Sequence, residues 1–316
     1  MLWYPVQYEG LEQSPNIIYT GSCLNQQIIP AVKWAISENL CDRCLLVGSD
    51  YVFPRTANNL IKSLITQNGG SIIAEEYFPL NSVDFKSVID ILLTEKVDMV
   101  FNTINGAGNI DFFKQCAKAH LNPENTPIMS FSLSELEQSF IKKEGAGHYS
   151  CWNYFQEINS KTNKEFIRKY YSKFDRNTPL PATVVDSYSQ IYLWKNVVEN
   201  CKSFEPVNVL KNAAGTIYES PEGEIEIFPN NHTRHRAFIG KANQDGLFHI
   251  INETPLIDPE PWLGLENSSV PYKEMILEAL RSYPDVMHLN DTLQDEIEQK
   301  KNWRLFLKQR TYIFSN

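Results

Sequence analysis

The stretch CLLVGSDYVFPRTANNLIKSLITQNGGSIIAEEYF, residues 44–78, decides the fold. It begins with an apolar, β-branched run, which predicts a strand, and it ends with a second run of the same kind. Between the two runs, apolar residues recur at helical spacing, and the glycine pair at 69 and 70 predicts the end of that helix. The stretch therefore predicts a strand, a helix and a second strand in direct succession.

The same alternation continues on both sides of this stretch, with short connections. It predicts an α/β fold in which a parallel sheet is covered by helices on both faces. Ligand sites of such sheets lie at the carboxyl ends of the strands, which here carry GSDY (48–51), NTIN (102–105), SFSLS (130–134) and WNYF (152–155). The other predicted strands of this region are 16–21, 98–104, 127–132 and 147–155, and the other predicted helices are 25–39, 84–96, 109–120 and 133–140.

The second half of the chain is less regular. After the proline-rich stretch at 255–264, apolar Val286, Leu289, Leu293 and Ile297 recur every three or four residues among charges. This pattern predicts an exposed amphipathic helix, or a short coiled coil, that is interrupted at Pro284. Before it, helices are predicted over 163–175, 184–201 and 207–215, and antiparallel strands over 222–228, 235–243 and 246–252.

Length and composition narrow the class of protein. A chain of 316 residues with 42% hydrophobic residues is long enough for two domains with real cores. A net charge of −9 argues against nucleic acid or an anionic membrane as the main partner. No apolar run reaches the length of a membrane span, and MLWYPVQYEG (1–10) lacks the pattern of a signal peptide. Taken as written, the chain is expected in the cytoplasm.

The six cysteines suggest no disulfide framework. Cys41 and Cys44 form a single C-x-x-C pair, for which His232 and His235 are conceivable zinc partners; the alternative is an ordinary helix end and strand start. We predict no metal site and no cofactor. Because the sequence lacks a G-x-S-x-G nucleophile, a phosphate loop and an H-E-x-x-H pattern, it predicts binding without catalysis.

Ordered motifs over residues 2–262 resemble one protein family. They include YPVQYEG (4–10), GSDYVFPRTANN (48–59), DMVFNTINGAGNIDFFKQ (98–115), PIMSFSLSELE (127–137), GHYSCWNYFQEI (147–158) and PEGEIEIFPNNHT (221–233). The chain looks like the urea- and short-chain-amide-binding members of the type I periplasmic binding proteins. NTINGAGN and WNYFQ favour the branch that serves urea ABC transporters. Complete members carry further β/α units before the segment that matches LWYPVQYEG, so Met1 is expected to lie inside the N-terminal lobe.

The resemblance implies a two-lobed fold with an incomplete N-terminal lobe. Residues 1–36 and 180–222 are expected to form the remnant of that lobe, residues 37–179 and 223–262 the C-terminal lobe, and residues 263–316 a helical extension. By position in the family motifs, the expected ligand-binding residues are Tyr4, Pro5, Asp50, Tyr51, Thr103, Asn105, Ser130, Ser132, Asn153 and Tyr154. Val6 stands where amide sensors have a hydroxyl residue, which leaves the choice of amide open.

These residue types suit a planar, neutral amide. Urea offers four N–H donors and one carbonyl acceptor, so a dry pocket must supply several acceptors and a donor. Tyrosine supplies a flat wall and a hydroxyl, and Asp50 supplies an acceptor. The alternatives are that Asp50 caps the following helix, that Tyr4 and Tyr154 are core aromatics, and that Glu9 anchors the hinge.

Two functions follow from these patterns. The first is solute binding for an ABC-type uptake system, with an ABC permease as partner and a periplasmic location by resemblance. The second is a sensory module in which closure of the lobes is passed to a signalling effector through the helix after residue 262, which resembles the linkers of bacterial histidine kinases and cyclases. In both, the ligand is a small neutral polar molecule, urea or a short amide.

Overall fold

The computed structural model describes residues 1–174 and 178–263. The predicted amphipathic helix with Val286, Leu289, Leu293 and Ile297 lies outside these residues. The first half contains β1 (Leu2–Tyr4), β2 (Ile17–Tyr19), α1 (Leu24–Ser37), β3 (Arg43–Ser49), α2 (Val52–Gln67), β4 (Ser71–Phe78), α3 (Lys86–Thr94), β5 (Met99–Thr103), α4 (Gly108–Lys118), β6 (Ile128–Ser130), α5 (Glu135–Ile141) and β7 (Tyr149–Trp152). The second half contains α6 (Lys161–Tyr171), α7 (Ala182–Cys201), α8 (Pro206–Lys211), β8 (Ile217–Ser220), β9 (Gly223–Ile227), β10 (Thr233–Arg234), β11 (Phe238–Ala242) and β12 (Phe248–Glu253).

The main sheet has seven strands in the order β12-β11-β7-β6-β5-β3-β4. The five strands from β7 to β4 are parallel, and β11 and β12 join antiparallel to them. Successive residues of β3 point to opposite faces, as the pleat requires: Leu45 and Val47 lie in one hydrophobic core, and Cys44 and Leu46 lie in the other. The predicted α/β fold, with helices on both faces of a mostly parallel sheet, is confirmed.

A second, smaller group of strands lies beside the main sheet. Strands β1 and β2 pair in parallel, β8, β9 and β10 form an antiparallel sheet, and a single bridge between Tyr19 and His232 joins the two. Helix α7 connects this group to the main sheet. Its Val185 lies in a core of the main sheet, whereas its Leu193 and Val197 lie in the small core with Ile18. One continuous helix therefore contributes to both hydrophobic cores.

The packing differs from the expected division into lobes at two places. Helix α1 was expected in the N-terminal remnant, but its Ile28 and Val32 lie in a core of the main sheet. Strand β9 was expected in the C-terminal lobe, but it pairs with β8 in the small sheet. Hydrogen bonds of a hairpin keep both its strands in one sheet, so the chain passes to the main sheet between β10 and β11. The lobe boundaries themselves stay a prediction.

Helices in the described ranges are all too short or too polar to cross a lipid bilayer.

Candidate functional site

The carboxyl ends of β3, β5, β6 and β7 meet at one edge of the main sheet, because these strands are parallel neighbours. Segment 4–10, which follows β1, lies against this edge. Gln7 Nε2 donates to the carbonyl of Phe131 at 2.9 Å, and Gln27 Nε2 donates to Gln7 Oε1 at 3.2 Å and to the carbonyl of Cys151 at 2.7 Å. Sequence analysis missed both glutamines. We call the space between segment 4–10 and the strand ends the cleft.

Tyr4, Glu9 and Tyr51 share this cleft, and each is partly exposed. Burial raises the pKa of Tyr51, and the nearby Glu9 carboxylate raises it further. Burial, followed by Glu9 and Glu12, also raises the pKa of Tyr4. Burial is again the main cause that raises the pKa of Glu9 above its ordinary range. The cleft thus brings together two protonated phenols, which can donate, and a carboxyl group, which can accept.

Asp50 points away from this group. Its Oδ1 accepts from Arg55 Nε at 2.8 Å and pairs with Nη2 of the same side chain at 2.7 Å. The Arg55 guanidinium in turn lies 4.2 Å from the centroid of the Tyr77 ring. The expected alternative, that Asp50 caps the next helix, is wrong, because Tyr51 is the N-cap residue of α2 and makes no side-chain cap hydrogen bond. Asp50 is an exposed partner of Arg55 instead.

Two residues from the turn after β5 differ in exposure. Thr103 is fully buried, and its Oγ1 lies 3.1 Å from the carbonyl of Val47 and 3.2 Å from Asn58 Oδ1. Asn105 is half-buried and donates from Nδ2 to the carbonyl of Thr103 at 3.1 Å, so its side-chain carbonyl remains as an acceptor. Thr103 therefore holds strand ends together, and Asn105 offers a polar group at the cleft.

Ser130 and Ser132 belong to a buried network that sequence analysis did not foresee. Ser130 Oγ accepts from Asn102 Nδ2 at 3.1 Å and from the backbone N–H of Leu133 at 2.9 Å. Ser132 Oγ donates to the carbonyl of Ile104 at 2.5 Å. These bonds stabilise the turns after β5 and β6, which carry the cleft residues.

Asn153 and Tyr154 follow β7 and are both buried. Asn153 Nδ2 donates to Asp186 Oδ1 at 2.7 Å and to Glu222 Oε2 at 3.1 Å. The Tyr154 hydroxyl donates to Asn163 Oδ1 at 2.9 Å, and its ring lies in a core of the main sheet. Of the ten expected residues, the structure places Tyr4, Pro5, Tyr51 and Asn105 partly exposed around the strand ends. It places Asp50 outside and buries Thr103, Ser130, Ser132, Asn153 and Tyr154 among protein partners.

Glu135, the first residue of α5, is a buried carboxyl group near the same strand ends. Both its oxygens lie 3.0 Å from the backbone N–H of Gln156. Burial raises the pKa of Glu135 well above its ordinary value, and this hydrogen bond opposes the rise only in part. The carboxyl group consequently favours its neutral form in the folded protein.

We expect Glu135→Gln to raise the stability of the protein, relative to the wild type, more at pH 8 than at pH 4. The pKa of Glu135 is higher in the folded protein than in the unfolded chain, so as pH rises the unfolded chain loses this proton first. The contribution of Glu135 to wild-type stability is therefore full below its unfolded pKa and is lost as pH rises through its folded pKa. The glutamine cannot ionise, and its carbonyl still accepts from Gln156. Thermal unfolding at both pH values, without added urea, measures the difference. Glu144→Gln, at an exposed position, is the control. An equal effect of both substitutions at the two pH values would contradict this.

Comparison with known proteins identifies the family. The periplasmic binding protein domain matches residues 1–268, so the chain belongs to that family of binding proteins. Over 225 residues, or 69% of the chain, it is 20% identical to the Leu/Ile/Val-binding protein homolog 6 of Brucella melitensis. Over 116 residues, or 36% of the chain, it is 30% identical to a protein of Geobacillus stearothermophilus named limonene hydroxylase. The chain spans 57% of the first protein and 21% of the second.

Solved structures show the same fold. A solute-binding protein of an ABC transporter from R. palustris, crystallised with benzoate, superposes with a TM-score of 0.71 at 16% identity. The superposition covers 78% of this chain and 68% of that one. The likeness confirms the type I periplasmic-binding-protein fold that the motifs predict.

Proposed function

We propose that this chain binds a small neutral polar ligand, urea or a short-chain amide, in the cleft, as the solute-binding part of an ABC-type uptake system. The observation that supports this most is the grouping of Tyr4 and Tyr51 around Glu9. The phenol hydroxyls are donors for the ligand carbonyl, and Glu9 and the Asn105 carbonyl are acceptors for its N–H groups. Each such group left unpaired in a dry site costs about 1–3 kcal/mol, which makes the match selective.

The same group of residues disfavours a carboxylate ligand. Benzoate and the carboxylate end of an amino acid carry a negative charge, which Glu9 repels whenever it is ionised. Arg55, the cationic side chain next to the GSDY turn, already pairs with Asp50 and stacks on Tyr77. A neutral ligand with several N–H donors fits this charge distribution better than the benzoate bound by the R. palustris protein.

Binding without chemistry fits the arrangement of the cleft. Hydrolysis of urea or an amide needs a metal cluster or a nucleophile with a base. The cleft residues named here are phenols, amides and one carboxyl group with a raised pKa, which bind and orient a ligand. Closure of the two strand groups around a ligand would sequester it and present a changed surface to an ABC permease.

Isothermal titration of the 316-residue chain with urea, acetamide, benzoate and leucine tests the proposal. We expect saturable binding of urea or acetamide and none of the two carboxylates. An ammonia assay on the same samples should stay at background. Saturable binding of benzoate or leucine with no response to urea or acetamide would contradict the proposed ligand, and ammonia release would contradict the absence of catalysis.

Sensing is the second candidate, and it rests on the sequence alone. The apolar repeat from Val286 to Ile297 follows the family match, and a transport protein has no evident use for such a helix. A sensor would use it to pass closure of the cleft to an effector. The test is a fusion of the chain to a kinase core. Kinase activity of the fusion that follows the urea concentration would support this role over transport.

A further inference from the structure

A buried polar cluster lies where the chain passes between the small sheet and the main sheet. Asp186 comes from α7, Glu222 from the turn between β8 and β9, and His235 from the segment after β10. Their exposed fractions are 3%, 4% and 0%. One ligand atom from each of these three side chains lies within 4.8 Å of the other two. Asn153, from the end of β7, contacts both carboxyl groups.

The hydrogen bonds around His235 place its Nδ1 against the Glu222 carboxyl group. Thr233 Oγ1 lies 3.2 Å from the carbonyl of Tyr19 and 2.6 Å from His235 Nε2. If the single hydroxyl hydrogen goes to the Tyr19 carbonyl, Nε2 donates to Thr233; if it goes to Nε2, Nδ1 donates to Glu222. In the first arrangement of a neutral imidazole, Nδ1 is a bare lone pair that faces Glu222 Oε2 at 2.9 Å. A metal ion bound to both of these atoms would remove the repulsion between their lone pairs in that arrangement.

The charge of the cluster points the same way. Asp186 and Glu222 are two carboxyl groups, and Asn153 donates to both without neutralising either. Arg234, the adjacent cationic side chain, pairs with Glu226 at 2.8 Å and with Asp258 at 2.7 Å. In addition, Glu222 Oε1 is buried and has no hydrogen-bond partner among the described residues. A buried carboxylate oxygen without a partner is costly, so the site calls for a ligand that carries positive charge.

We propose that Asp186, Glu222 and His235 bind one Zn²⁺ ion. An imidazole nitrogen with two carboxylate oxygens is a donor set that zinc accepts in tetrahedral sites, with a fourth position left over. The Asn153 side chain can fill that position with its carbonyl after a rotation of the amide. The hydrogen bond from His235 Nε2 to Thr233 orients the ring, as the outer partners of metal-bound histidines do.

Such an ion would add a direct link between three chain segments that already meet through hydrogen bonds and apolar packing. It would link α7, the β8–β9 turn and the passage to β11, and through Asn153 the end of β7. The site uses none of the cleft residues Tyr4, Glu9 and Tyr51, so the proposal does not rest on the cleft ligand. The alternative in which Cys41 and Cys44 share a zinc ion with the two histidines is not observed, because His232 bonds to Tyr8 and His235 bonds to Glu222.

Zinc titration of the chelator-treated 316-residue chain tests this site. By calorimetry and thermal unfolding, we expect one ion per chain and a rise in Tm. Glu222→Gln and His235→Ala are expected to weaken zinc binding more than about tenfold. The matched control is His249→Ala, which removes the histidine of the exposed His249–Glu157 pair and should leave zinc binding unchanged.

The wild-type chain alone already decides the outcome if a variant fails to fold. Absence of zinc binding to the chelator-treated wild type would overturn the proposal and would mean that protons neutralise the cluster. Equal loss in His249→Ala would place the ion elsewhere. Substitution with Co²⁺ provides a second readout, because visible absorption typical of a tetrahedral nitrogen and oxygen site should appear in the wild type and vanish in Asp186→Asn. Urea titration of the same samples reports separately on the cleft.

Discussion

Tyr51→Ala is expected to weaken binding of urea or acetamide by about 2 kcal/mol or more, by analogy with large-to-small changes in closed apolar sites. That is about thirtyfold in Kd. Tyr51 is half-buried at the N-cap of α2, and its ring lies 6.4 Å from that of Phe53. Truncation removes a wall and a hydroxyl together, and it admits water to the cleft. Isothermal titration of the variant with both ligands measures the loss.

Asp50→Asn is the matched control, one residue earlier in the same turn. The Asp50 side chain is 45% exposed and pairs with Arg55, and an exposed ion pair contributes about 0–1 kcal/mol. We therefore expect nearly unchanged ligand affinity. If Asp50→Asn abolishes binding while Tyr51→Ala retains it, the turn recognises charge, and a cationic ligand would replace the amide as the best hypothesis.

Gly21→Ala is expected to destabilise the protein by about 3 kcal/mol and to abolish ligand binding. A Cβ at this position would lie 2.3 Å from the carbonyl carbon of Val6 and 2.7 Å from the backbone nitrogen of Gln7. Both neighbours are backbone atoms, which cannot rotate away. The clash would push segment 4–10 off the strand ends and break the bond from Gln7 to Phe131. Thermal unfolding measures the loss of stability, and isothermal titration with urea as the ligand measures the loss of binding.

Gly108→Ala serves as the control for this prediction. Its nearest obstacles are a side-chain carbon of Ile104 at 3.1 Å and the backbone oxygen of Ser82 at 3.2 Å. Both distances are longer than the 2.3–2.7 Å at Gly21, so a small shift relieves them. We expect a much smaller fall in Tm than for Gly21→Ala. Similar falls for the two substitutions would show that the approach of segment 4–10 to Gly21 is not tight.

The repeating elements of the main sheet were predictable from the sequence, because their signal is local. Apolar residues at a period near 3.6 and β-branched runs fall within windows of ten residues or so. Helix α2 and strands β3 and β4 match their predicted places closely. Strands β1, β8 and β10, which are two to four residues long, were not predicted.

The sequence also determined which turns carry polar residues, and hence which edge of the sheet holds the cleft. It did not determine which of those residues are partly exposed at the cleft and which are buried or paired elsewhere. Asp50 and Tyr51 are neighbours, and Thr103 and Asn105 are two apart, yet one of each pair lies at the cleft and the other is engaged elsewhere. That choice depends on what packs against the strand ends.

Only the tertiary structure decided those contacts, since they join distant parts of the chain. Gln7 reaches Phe131 across 124 positions, and Asn153 reaches Glu222 across 69. The cluster of Asp186, Glu222 and His235 draws on a helix, a turn and the passage between two sheets, and no local pattern marks these residues as a group. Side chains this far apart in sequence meet because the sheet, α7 and the small strand group pack together, and that packing minimises the free energy of the whole chain rather than of any one segment.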